Sequence, residues 1–325
     1  MIGQLQTYKS NKGLFKDEKS TGAICVLKDN FSAPQTFYQH PNGKLFNGDS
    51  IEWMKNLESA SIDLIFADPP YNIKKADWDN FESQEKYIEF SLDWIEQASR
   101  ILNENGSLYI CGFSEILADI KHPASKFFHS CRWIVWHYKN KANLGKDWGR
   151  SHESILHFRK SKKHTFNIDH IRIPYGEHTL KYPSHPQAQS SNFGKNGKKV
   201  DLWEPNPLGA KPKDVMDIPL DTIEIPTTCN GMNEKTPHPT QKPEELVRKI
   251  ILASSDEGQV VLDPFCGSGT TPVCAEQLKR KWLACDLNTE YLNWTVERLE
   301  KVQDWPIDKW IKFDFDNQKR RNSIR

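Results

Sequence analysis

Residues 260–271 have the sequence VVLDPFCGSGTT, which joins an apolar run to a glycine turn and then to residues that can begin a helix. Gly267 and Gly269 let the backbone pass close to a ligand, because neither residue has a Cβ that would clash with it. The N–H groups and the positive dipole end of the following helix favour a carboxylate or a phosphate. The pattern predicts a strand–turn–helix unit that binds an anionic group.

An acidic residue follows the next predicted strand, which covers residues 282–285. Asp286 lies 19 positions after Gly267, where a carboxylate can accept hydrogen bonds from both hydroxyls of a ribose. The glycine turn alone would be weak support, since tight strand-to-helix turns need glycine anyway. The last glycine of a dinucleotide fingerprint is missing, because Thr270 and Thr271 follow Gly269. Together these features predict a nucleoside-bearing cofactor other than NAD.

A second motif consists of Asp68, Pro69, Pro70 and Tyr71 and directly follows an apolar run at residues 64–67. It is therefore expected to project from the carboxyl end of a strand, where α/β sheets bind ligands. Each proline fixes its own φ and biases the preceding residue towards extended geometry, so the backbone is rigid without a ligand. An ordinary Pro-Pro turn after an Asp is the purely structural alternative.

The motif suits methylation of an aromatic amine, whose nitrogen is a poor nucleophile because its lone pair is delocalised into the ring. The Asp68 carboxylate can accept one hydrogen of the amino group, the Pro69 carbonyl can accept the other, and Tyr71 can stack on the ring. Two acceptors in this geometry favour a pyramidal nitrogen whose lone pair points at an incoming methyl group. The proton can leave after the transfer, so no strong general base is required.

Short apolar runs alternate with helical patterns along the chain. Strands are predicted at residues 44–46, 64–67, 107–111, 133–136, 154–158, 260–262 and 282–285, and helices at residues 84–102, 243–255, 270–279 and 289–302. This alternation predicts a mostly parallel α/β sheet. Residues 160–235 show no clear periodicity, which indicates a loop-rich insertion rather than a second α/β domain.

The charge is split along the chain. The 325 residues have a formal net charge of +1, but residues 121–200 contain 16 Lys or Arg against 4 Asp or Glu. This segment also interleaves aromatic residues such as Trp133 and Trp148 with cations such as Arg132 and Lys146. Phosphates attract the cations, and unstacked bases stack on the aromatic faces. The segment predicts a nucleic-acid-binding surface, with a merely solvated basic face as the alternative.

The composition, 37% hydrophobic and 27% charged, is that of a globular chain able to bury a core. No signal peptide is visible, and no apolar run is long enough to span a bilayer. The seven cysteines include no Cys-x-x-Cys pair. The sequence therefore predicts a cytoplasmic protein with no membrane association, no disulfide framework and no bound metal.

The combined motifs resemble those of S-adenosylmethionine-dependent DNA amino-methyltransferases. Because the tetrapeptide at 68–71 precedes the glycine loop at 263–271, the order resembles the permuted beta class of bacterial modification enzymes. The resemblance covers residues 43–160 and 236–303. It implies a seven-stranded, mostly parallel, Rossmann-like methyltransferase sheet with circularly permuted motif order, helices on both faces and a reversed last strand at 154–158.

The resemblance also implies roles for individual residues. The motif at 47–49 would contact the cofactor's adenine through Asp49, residues 238–243 would close over its methionine end, and residues 136–139 and 152–158 would line the target-base pocket. The expected catalytic residues are Asp68, Pro69, Pro70 and Tyr71. The expected cofactor-binding residues are Asp49, His238, Thr240, Lys242, Asp263, Pro264, Phe265, Gly267, Ser268, Gly269, Thr270 and Asp286. The expected DNA-binding residues are Lys139, Arg150, Arg159, Lys160, Lys195 and Lys198.

The resulting domain hypothesis has five parts. Residues 1–42 form an N-terminal extension of unknown role, 43–159 the catalytic half, 160–235 the target-recognition region, 236–303 the cofactor-binding half and 304–325 a tail. In this family an Asp in the tetrapeptide usually accompanies adenine N6 and a Ser cytosine N4. The resemblance therefore implies a site-specific adenine-N6 methyltransferase acting on a flipped-out base in duplex DNA.

A partner restriction endonuclease and a homodimer are further expectations. Three alternatives remain open from the sequence. They are a cytosine-N4 methyltransferase, an RNA methyltransferase, and a DNA-binding protein that has lost catalysis.

Overall fold

The computed structural model describes residues 34–74, 79–137, 146, 148–183, 185–186, 202–217 and 234–304. Three of the expected DNA-binding residues, Lys139, Lys195 and Lys198, lie outside these ranges, as do most of the N-terminal extension and of the C-terminal tail.

The described residues form eleven strands and seven α-helices. The strands are β1 (Gln35–His40), β2 (Gly43–Asn47), β3 (Ile62–Ala67), β4 (Leu102–Gly112), β5 (Ser130–His137), β6 (His152–Arg159), β7 (His185–Pro186), β8 (Leu202–Trp203), β9 (Val215–Asp217), β10 (Val260–Asp263) and β11 (Lys281–Asp286). The helices are α1 (Ser50–Lys55), α2 (Gln84–Ile101), α3 (Ser114–Ala124), α4 (Glu177–Lys181), α5 (Glu244–Ser254), α6 (Thr270–Gln277) and α7 (Thr289–Leu299).

The main sheet has the strand order β1-β2-β11-β10-β3-β4-β6-β5-β9. The run from β2 to β4 is parallel, and β6 is antiparallel to both β4 and β5. The expected mostly parallel sheet with a reversed strand at 154–158 is thus confirmed. The motif order is permuted as expected, since β10, with its glycine turn, is inserted between β11 and the much earlier β3.

The expected number of seven strands is wrong by two for the described sheet, because an additional strand flanks each edge. β1 pairs antiparallel with β2, and its residues are mostly exposed, so it lacks the apolar run that marks a buried strand. β9 is only three residues long and pairs with β5 from within the loop-rich region. Neither strand has a pattern that sequence periodicity can detect.

Two hydrophobic cores cover the two faces of the sheet. One core packs α5, α6 and α7 against residues such as Tyr109 and Trp282, and the other packs α1, α2 and α3 against residues such as Phe46 and Leu108. All four residues of β10 are buried, as expected for a parallel strand covered on both faces. Because β3, β10 and β11 are parallel neighbours, their carboxyl ends meet at one edge of the sheet.

The helices agree with the sequence patterns apart from their ends. α5 begins at Glu244, and Pro243 precedes it as the N-cap instead of occupying the first helical position. α1 and α3 were not predicted from the sequence. α1 is too short to show a helical period, and α3 has Pro123 in its last turn, which is a helix-breaking signal.

The described parts of residues 160–235 contain only short elements, among them the 3₁₀ turn Ile168–Ile171, α4 and the two-residue pairing of β7 with β8. The 3₁₀ turn packs against α5, and β9 extends the main sheet. Among the described helices, none has the length and apolar character needed to cross a membrane.

Candidate active site

One cavity of about 250 Å³ opens at the carboxyl ends of β3, β10 and β11. Its wall includes Asp68 and Pro70 from the end of β3, and Gly267 from the turn after β10. Asp49 and Asp286 line the same cavity. The two sequence motifs, which are nearly 200 positions apart, therefore face one space because β3 and β10 are neighbours in the sheet.

The glycine turn adopts backbone geometry that other residues tolerate poorly. Gly267 has φ +49°, and a Cβ built on it would lie 2.9 Å from Nε2 of His238. Gly269 has φ +78° at the N-cap of α6, and a Cβ there would lie 2.4 Å from a side-chain carbon of Thr295. Both positions combine a left-handed φ with close neighbours, so the fold of the turn requires both glycines. Gly267 lines the cavity, whereas Gly269, also expected to bind the cofactor, does not.

The buried carboxylate of Asp263 holds the turn by hydrogen bonds on both of its oxygens. Its Oδ1 accepts the N–H of Phe265 at 3.0 Å, and its Oδ2 accepts the hydroxyl of Thr271. Burial raises the pKa of Asp263 to about 7, although these two hydrogen bonds oppose the shift. Pro264, Phe265, Ser268 and Thr270, the other residues expected here, all line the cavity.

Asp286 ties the end of β11 to the glycine turn. Its Oδ2 accepts the N–H of Gly267 at 2.8 Å, and its Oδ1 accepts the N–H of Asn288 at 2.9 Å. Burial raises the pKa of this carboxyl against the effect of the backbone donors. Asp49 caps α1 by accepting the N–H groups of Ile51 and Glu52, both at 2.9 Å. Each carboxylate oxygen has two lone pairs, so both residues can still accept further hydrogen bonds.

The tetrapeptide is held by bonds to both oxygens of its carboxylate. Oδ1 of Asp68 accepts the hydroxyl of Tyr71 at 2.7 Å, and Oδ2 accepts the ammonium of Lys242 at 2.7 Å. The carbonyl of Pro70 accepts the hydroxyl of Tyr87 at 2.9 Å. Pro69 is buried.

Asp79 organises the backbone that follows the tetrapeptide, and the sequence analysis missed it. Its carboxylate accepts the N–H groups of Tyr71 at 2.6 Å, Asn72 at 2.7 Å and Ile73 at 3.2 Å. Only 1% of Asp79 is exposed. Asn72 has φ +56°, so this network holds a turn that includes a left-handed non-glycine residue.

Lys242 and Glu153 complete a charged cluster beneath Asp68. The Lys242 ammonium lies 3.6 Å from Oε2 of Glu153, which is also 3.4 Å from the hydroxyl of Tyr71. Burial alone would lower the pKa of Lys242, but the charges of Asp68 and Glu153 outweigh it and raise that pKa. Lys242 was expected only to contact the cofactor, whereas here it contacts the tetrapeptide. Glu153 has no distinguishing signal in the sequence, because β6 contains several other polar residues.

The segment before α5 folds back on itself beside the glycine turn. Oε1 of Gln241 accepts both the N–H and the hydroxyl of Thr236 at 2.9 Å. The N–H of Thr240 is 3.2 Å from Nδ1 of His238, whose ring packs edge-on against Tyr291. Both His238 and Thr240 line the cavity, where the sequence analysis expected them.

The three described residues among the expected DNA contacts lie in different surroundings. Arg150 pairs with Glu115, and its guanidinium lies 3.9 Å from the centroid of the Phe113 ring, which contacts Tyr71. Arg150 is thus linked to the tetrapeptide through Phe113, although neither Arg150 nor the expected catalytic residues Pro69 and Tyr71 line the cavity. Lys160 donates to the carbonyl and hydroxyl of Ser99 on α2, so its charge is already engaged. Arg159, at the end of β6, lines a separate pocket.

Comparison with known families identifies this architecture. The profile of a family described as "DNA methylase" matches residues 62–297. The chain is 36% identical over 252 residues to "Type II methyltransferase M1.MboII" of Moraxella bovis, with 77% of this chain and 94% of that protein covered. It is 32% identical over 276 residues to "DNA adenine methyltransferase YhdJ" of Escherichia coli strain K12, with 82% and 86% covered.

Solved structures resemble the chain at the level of the fold. The PvuII DNA methyltransferase (cytosine-N4-specific) superposes with a TM-score of 0.60 at 17% identity, covering 89% of this chain and 97% of that one. The structure titled as the M1.HpyAVI–SAM complex superposes with a TM-score of 0.52 at 22% identity, covering 79% and 98%.

Proposed function

Because the chain belongs to the DNA methylase family, we propose that it methylates the N6 amino group of adenine in duplex DNA with S-adenosylmethionine as the methyl donor. The observation that carries this proposal is the shared cavity of Asp68 and Gly267. A carboxylate suited to an amino group and a turn suited to the carboxylate of a nucleoside-bearing cofactor thus face one space.

The residues of the cavity fit S-adenosylmethionine. The cofactor supplies an electrophilic methyl group on a sulfonium sulfur, which leaves as a thioether. The carboxylate of Asp286 is suited to the ribose hydroxyls, and Asp49 to the adenine amino group. The N-terminus of α6, reached across Gly267 and Gly269, is suited to the carboxylate of the methionine part. Because a Cβ at Gly267 would meet His238, the space at the turn depends on that glycine.

Asp68 is the proposed acceptor for the target amine. An amino group that donates to Asp68 takes the place of, or shares, an oxygen now bonded to Tyr71 or Lys242. The ammonium of Lys242 donates to only one oxygen of Asp68, and each carboxylate oxygen has two lone pairs, so the carboxylate can still accept from the amine. The nitrogen forms its bond to the methyl carbon and then loses one proton, for which Asp68 and Glu153 are the carboxylates within the cluster.

A base stacked inside a duplex cannot present its amino group to this cavity. The target base must rotate out of the helix, which costs a few kcal/mol. Arg150 packs on Phe113, which contacts Tyr71, and this cation with its aromatic faces suits a phosphate and an unstacked base. We assign Tyr71 the role of stacking on the target ring.

Adenine is favoured over cytosine by the Asp of the tetrapeptide and by a relative named as a DNA adenine methyltransferase at 32% identity. The cytosine-N4-specific neighbour shares the fold at 17% identity, which does not extend to the choice of base. Cytosine N4 therefore stays the second candidate.

The relatives named as Type II methyltransferases support a role beside a restriction endonuclease that cuts the same DNA sequence. We place the recognition of that sequence in residues 160–235, which depart from the α/β pattern. A homodimer is part of the same proposal.

The base is tested by incubating the purified protein with methyl-labelled S-adenosylmethionine and duplex DNA of mixed sequence, followed by nucleoside analysis. N6-methyladenine is the expected product. N4-methylcytosine without N6-methyladenine would overturn the choice of base. Structured RNA as a competing substrate tests the RNA alternative, and specific DNA retention without cofactor binding in calorimetry would support a non-catalytic DNA-binding protein.

A further inference from the structure

A second pocket lies away from the active site and has an excess of positive charge. Its volume is about 270 Å³, and its wall contains four cationic side chains, Arg132, Arg159, Lys213 and Lys249, against one carboxylate, that of Asp214. The volume is slightly below the range of about 300–1,000 Å³ for small-molecule sites. The pocket is therefore sized for a small ligand.

The position of this pocket in the sheet separates it from the methyl-transfer site. It uses His157 and Arg132, which face each other across β6 and β5, whereas Glu153 of the active site pairs with Trp136. Four residues along a strand span about 13 Å. α5, whose residues Lys249 and Ile250 line the pocket, covers it on the face of the sheet.

Arg159 and Lys249 are the decisive residues. The Nε of Arg159 is buried and has no hydrogen-bond partner in the described part of the chain. Only 6% of Lys249 is exposed, and among the described residues no hydrogen bond or ion pair to its ammonium is found. Unsatisfied buried donors such as the Nε of Arg159 are rare in folded proteins. Both cations line one cavity, so a single anion in it would pair with them.

The carboxylate in the wall cannot neutralise this charge. Asp214 lies 3.4 Å from Arg132, and both side chains are more than half exposed, which makes this a weak surface pair. Burial, followed by the charges of His164, Arg159 and Arg132, lowers the pKa of His157 to about 3. His157 is therefore a neutral ring near neutral pH.

Aromatic rings form the other side of the pocket. Tyr109 and His157 stack with their centroids 4.1 Å apart and an interplanar angle of 8°. His157 also stacks with Phe166 at 6.3 Å, and 42% of Phe166 is exposed. The stack thus ends in an accessible ring beside the cationic groups. Arginine forks and lysine ammonium groups bind phosphate, and flat apolar rings bind flat ligands.

We propose that this pocket binds a small phosphate ester that carries a planar ring, such as a nucleoside monophosphate. The phosphate pairs with Lys249 and Arg159, and the ring packs on Phe166. Arg132 and Lys213, closer to the surface, attract the anion into the pocket. The site is separate from the cavity at Asp68 and Gly267, so its occupancy does not depend on the proposed methyl transfer.

The test uses the full chain with its cofactor cavity saturated by S-adenosylhomocysteine, so that a nucleotide cannot bind there. Cytidine 5′-monophosphate, inorganic phosphate and cytidine are each titrated by calorimetry and by thermal unfolding. The monophosphate is expected to bind and to raise the unfolding temperature, inorganic phosphate to bind more weakly, and cytidine not to bind. Absence of monophosphate binding by the unmodified protein would overturn the proposal.

Lys249→Met assigns the binding to the pocket, with Lys44→Met as the matched control, because Lys44 is also a buried lysine, at 8% exposure, but does not line the pocket. Lys249→Met is expected to weaken monophosphate binding by about tenfold or more. Lys44→Met is expected to leave monophosphate binding unchanged. Equal monophosphate affinity in both variants would contradict the assignment.

A short DNA duplex forms the last arm of the experiment, because backbone phosphates are a second source of the same chemistry. Under the proposal, duplex DNA does not displace the bound monophosphate, and Lys249→Met leaves DNA affinity unchanged. If the duplex displaces the monophosphate and Lys249→Met weakens DNA binding, the pocket contacts DNA, and the small-ligand proposal is wrong. Methylation activity of Lys249→Met is expected to equal that of the unmodified protein when no nucleotide is added.

Discussion

The ammonium of Lys242 lies 2.7 Å from Oδ2 of Asp68, and only 8% and 17% of the two side chains are exposed. This ion pair joins the segment before α5 to the end of β3, and so links the two halves of the active site. The raised pKa of Lys242 implies a stabilising contribution that is fully present below the ordinary lysine pKa of about 10.4. That contribution is lost only as the pH rises through the pKa of the folded state.

Removal of one partner of this pair is expected to lower the free energy of unfolding more than removal of both. Lys242→Met leaves Asp68 and Glu153 partly buried without their cation, and we expect a loss of about 3 kcal/mol in the free energy of unfolding. Asp68→Asn combined with Lys242→Met should recover part of that loss. Urea unfolding of both single variants and of the double variant measures the coupling, and additive losses would contradict it.

Asp68 and Asp286 are expected to affect different steps. Asp68→Ala should abolish turnover and leave the affinity for S-adenosylmethionine nearly unchanged, because it removes a contact to the target amine. Asp286→Ala should weaken cofactor binding by about 1–3 kcal/mol through loss of a charged hydrogen-bond partner. Calorimetry with the cofactor alone and single-turnover methylation separate the two effects. Equal losses of cofactor affinity in both variants would disagree with the assigned roles.

Asp286→Asn refines that comparison. Asp286 also accepts the N–H of Gly267, so the alanine variant disturbs the turn as well as the proposed ribose contact. The amide oxygen of Asn can still accept the N–H of Gly267, but the substitution removes the negative charge. A cofactor affinity between those of Asp286→Ala and the unmodified protein is the expected result, and an affinity as low as that of the alanine variant would mean that the charge itself dominates.

Two glycines with nearly the same φ provide a matched pair for the turn. Gly269 and Gly258 have φ +78° and +79°, but a Cβ at Gly269 would meet Thr295 at 2.4 Å, whereas nothing lies within 4 Å of a Cβ at Gly258. Gly258→Ala should cost about 1–2 kcal/mol of stability for the left-handed backbone alone. Gly269→Ala should cost more and weaken cofactor binding. Equal stability losses in denaturant would show that Thr295 yields to the added methyl group.

Asp263 predicts a pH dependence of stability. Its pKa is raised to about 7 by burial, against about 3.9 in an unfolded chain, so the folded state holds a proton that the unfolded state releases. The free energy of unfolding should therefore fall as the pH rises between about 4 and 7, and then level off. Asp263→Asn should reduce this fall. Urea unfolding at several pH values measures the difference, and parallel curves for the two proteins would contradict the prediction.

Glu234 is a second buried acid that should contribute to the same pH dependence of stability. Burial, and then the charge of Glu244, raises its pKa to about 7, so it acts in the same direction as Asp263. Glu234→Gln should remove a separate part of the same fall in stability. The two substitutions combined should flatten the curve more than either does alone, provided that the sites are independent.

The sequence predicted those features that depend on short local patterns. An apolar run followed by Asp68 or by Gly267 is enough to place each motif at the end of a strand, and the parallel sheet then places both at one edge. Asp79, Glu153 and the contact of Lys242 with Asp68 depend on tertiary packing between segments far apart in the chain. Neither their spacing nor their periodicity differs from that of ordinary polar residues.

The two edge strands and the second pocket also depend on tertiary packing and not on a local sequence pattern, so they were not predicted. β1 is mostly exposed and β9 has three residues, so neither has the buried alternation that indicates a strand. The expectation that Arg159 contacts DNA came from the interleaving of cations with aromatic residues in its segment. That pattern identifies a cationic and aromatic surface, but only the fold reveals that Arg159 shares a pocket with Lys249 of α5.

The insertion of β10 between β3 and β11 has a consequence for the synthesis of the chain on the ribosome. β3 emerges almost 200 residues before its partner, so one edge of it has no native neighbour until residue 260 has been translated. Exposed edges pair with other strands and lead to aggregation. The edge of β3 is therefore open to such pairing until β10 has been translated, and a prematurely terminated product would contain the tetrapeptide at 68–71 without the glycine turn at 263–271.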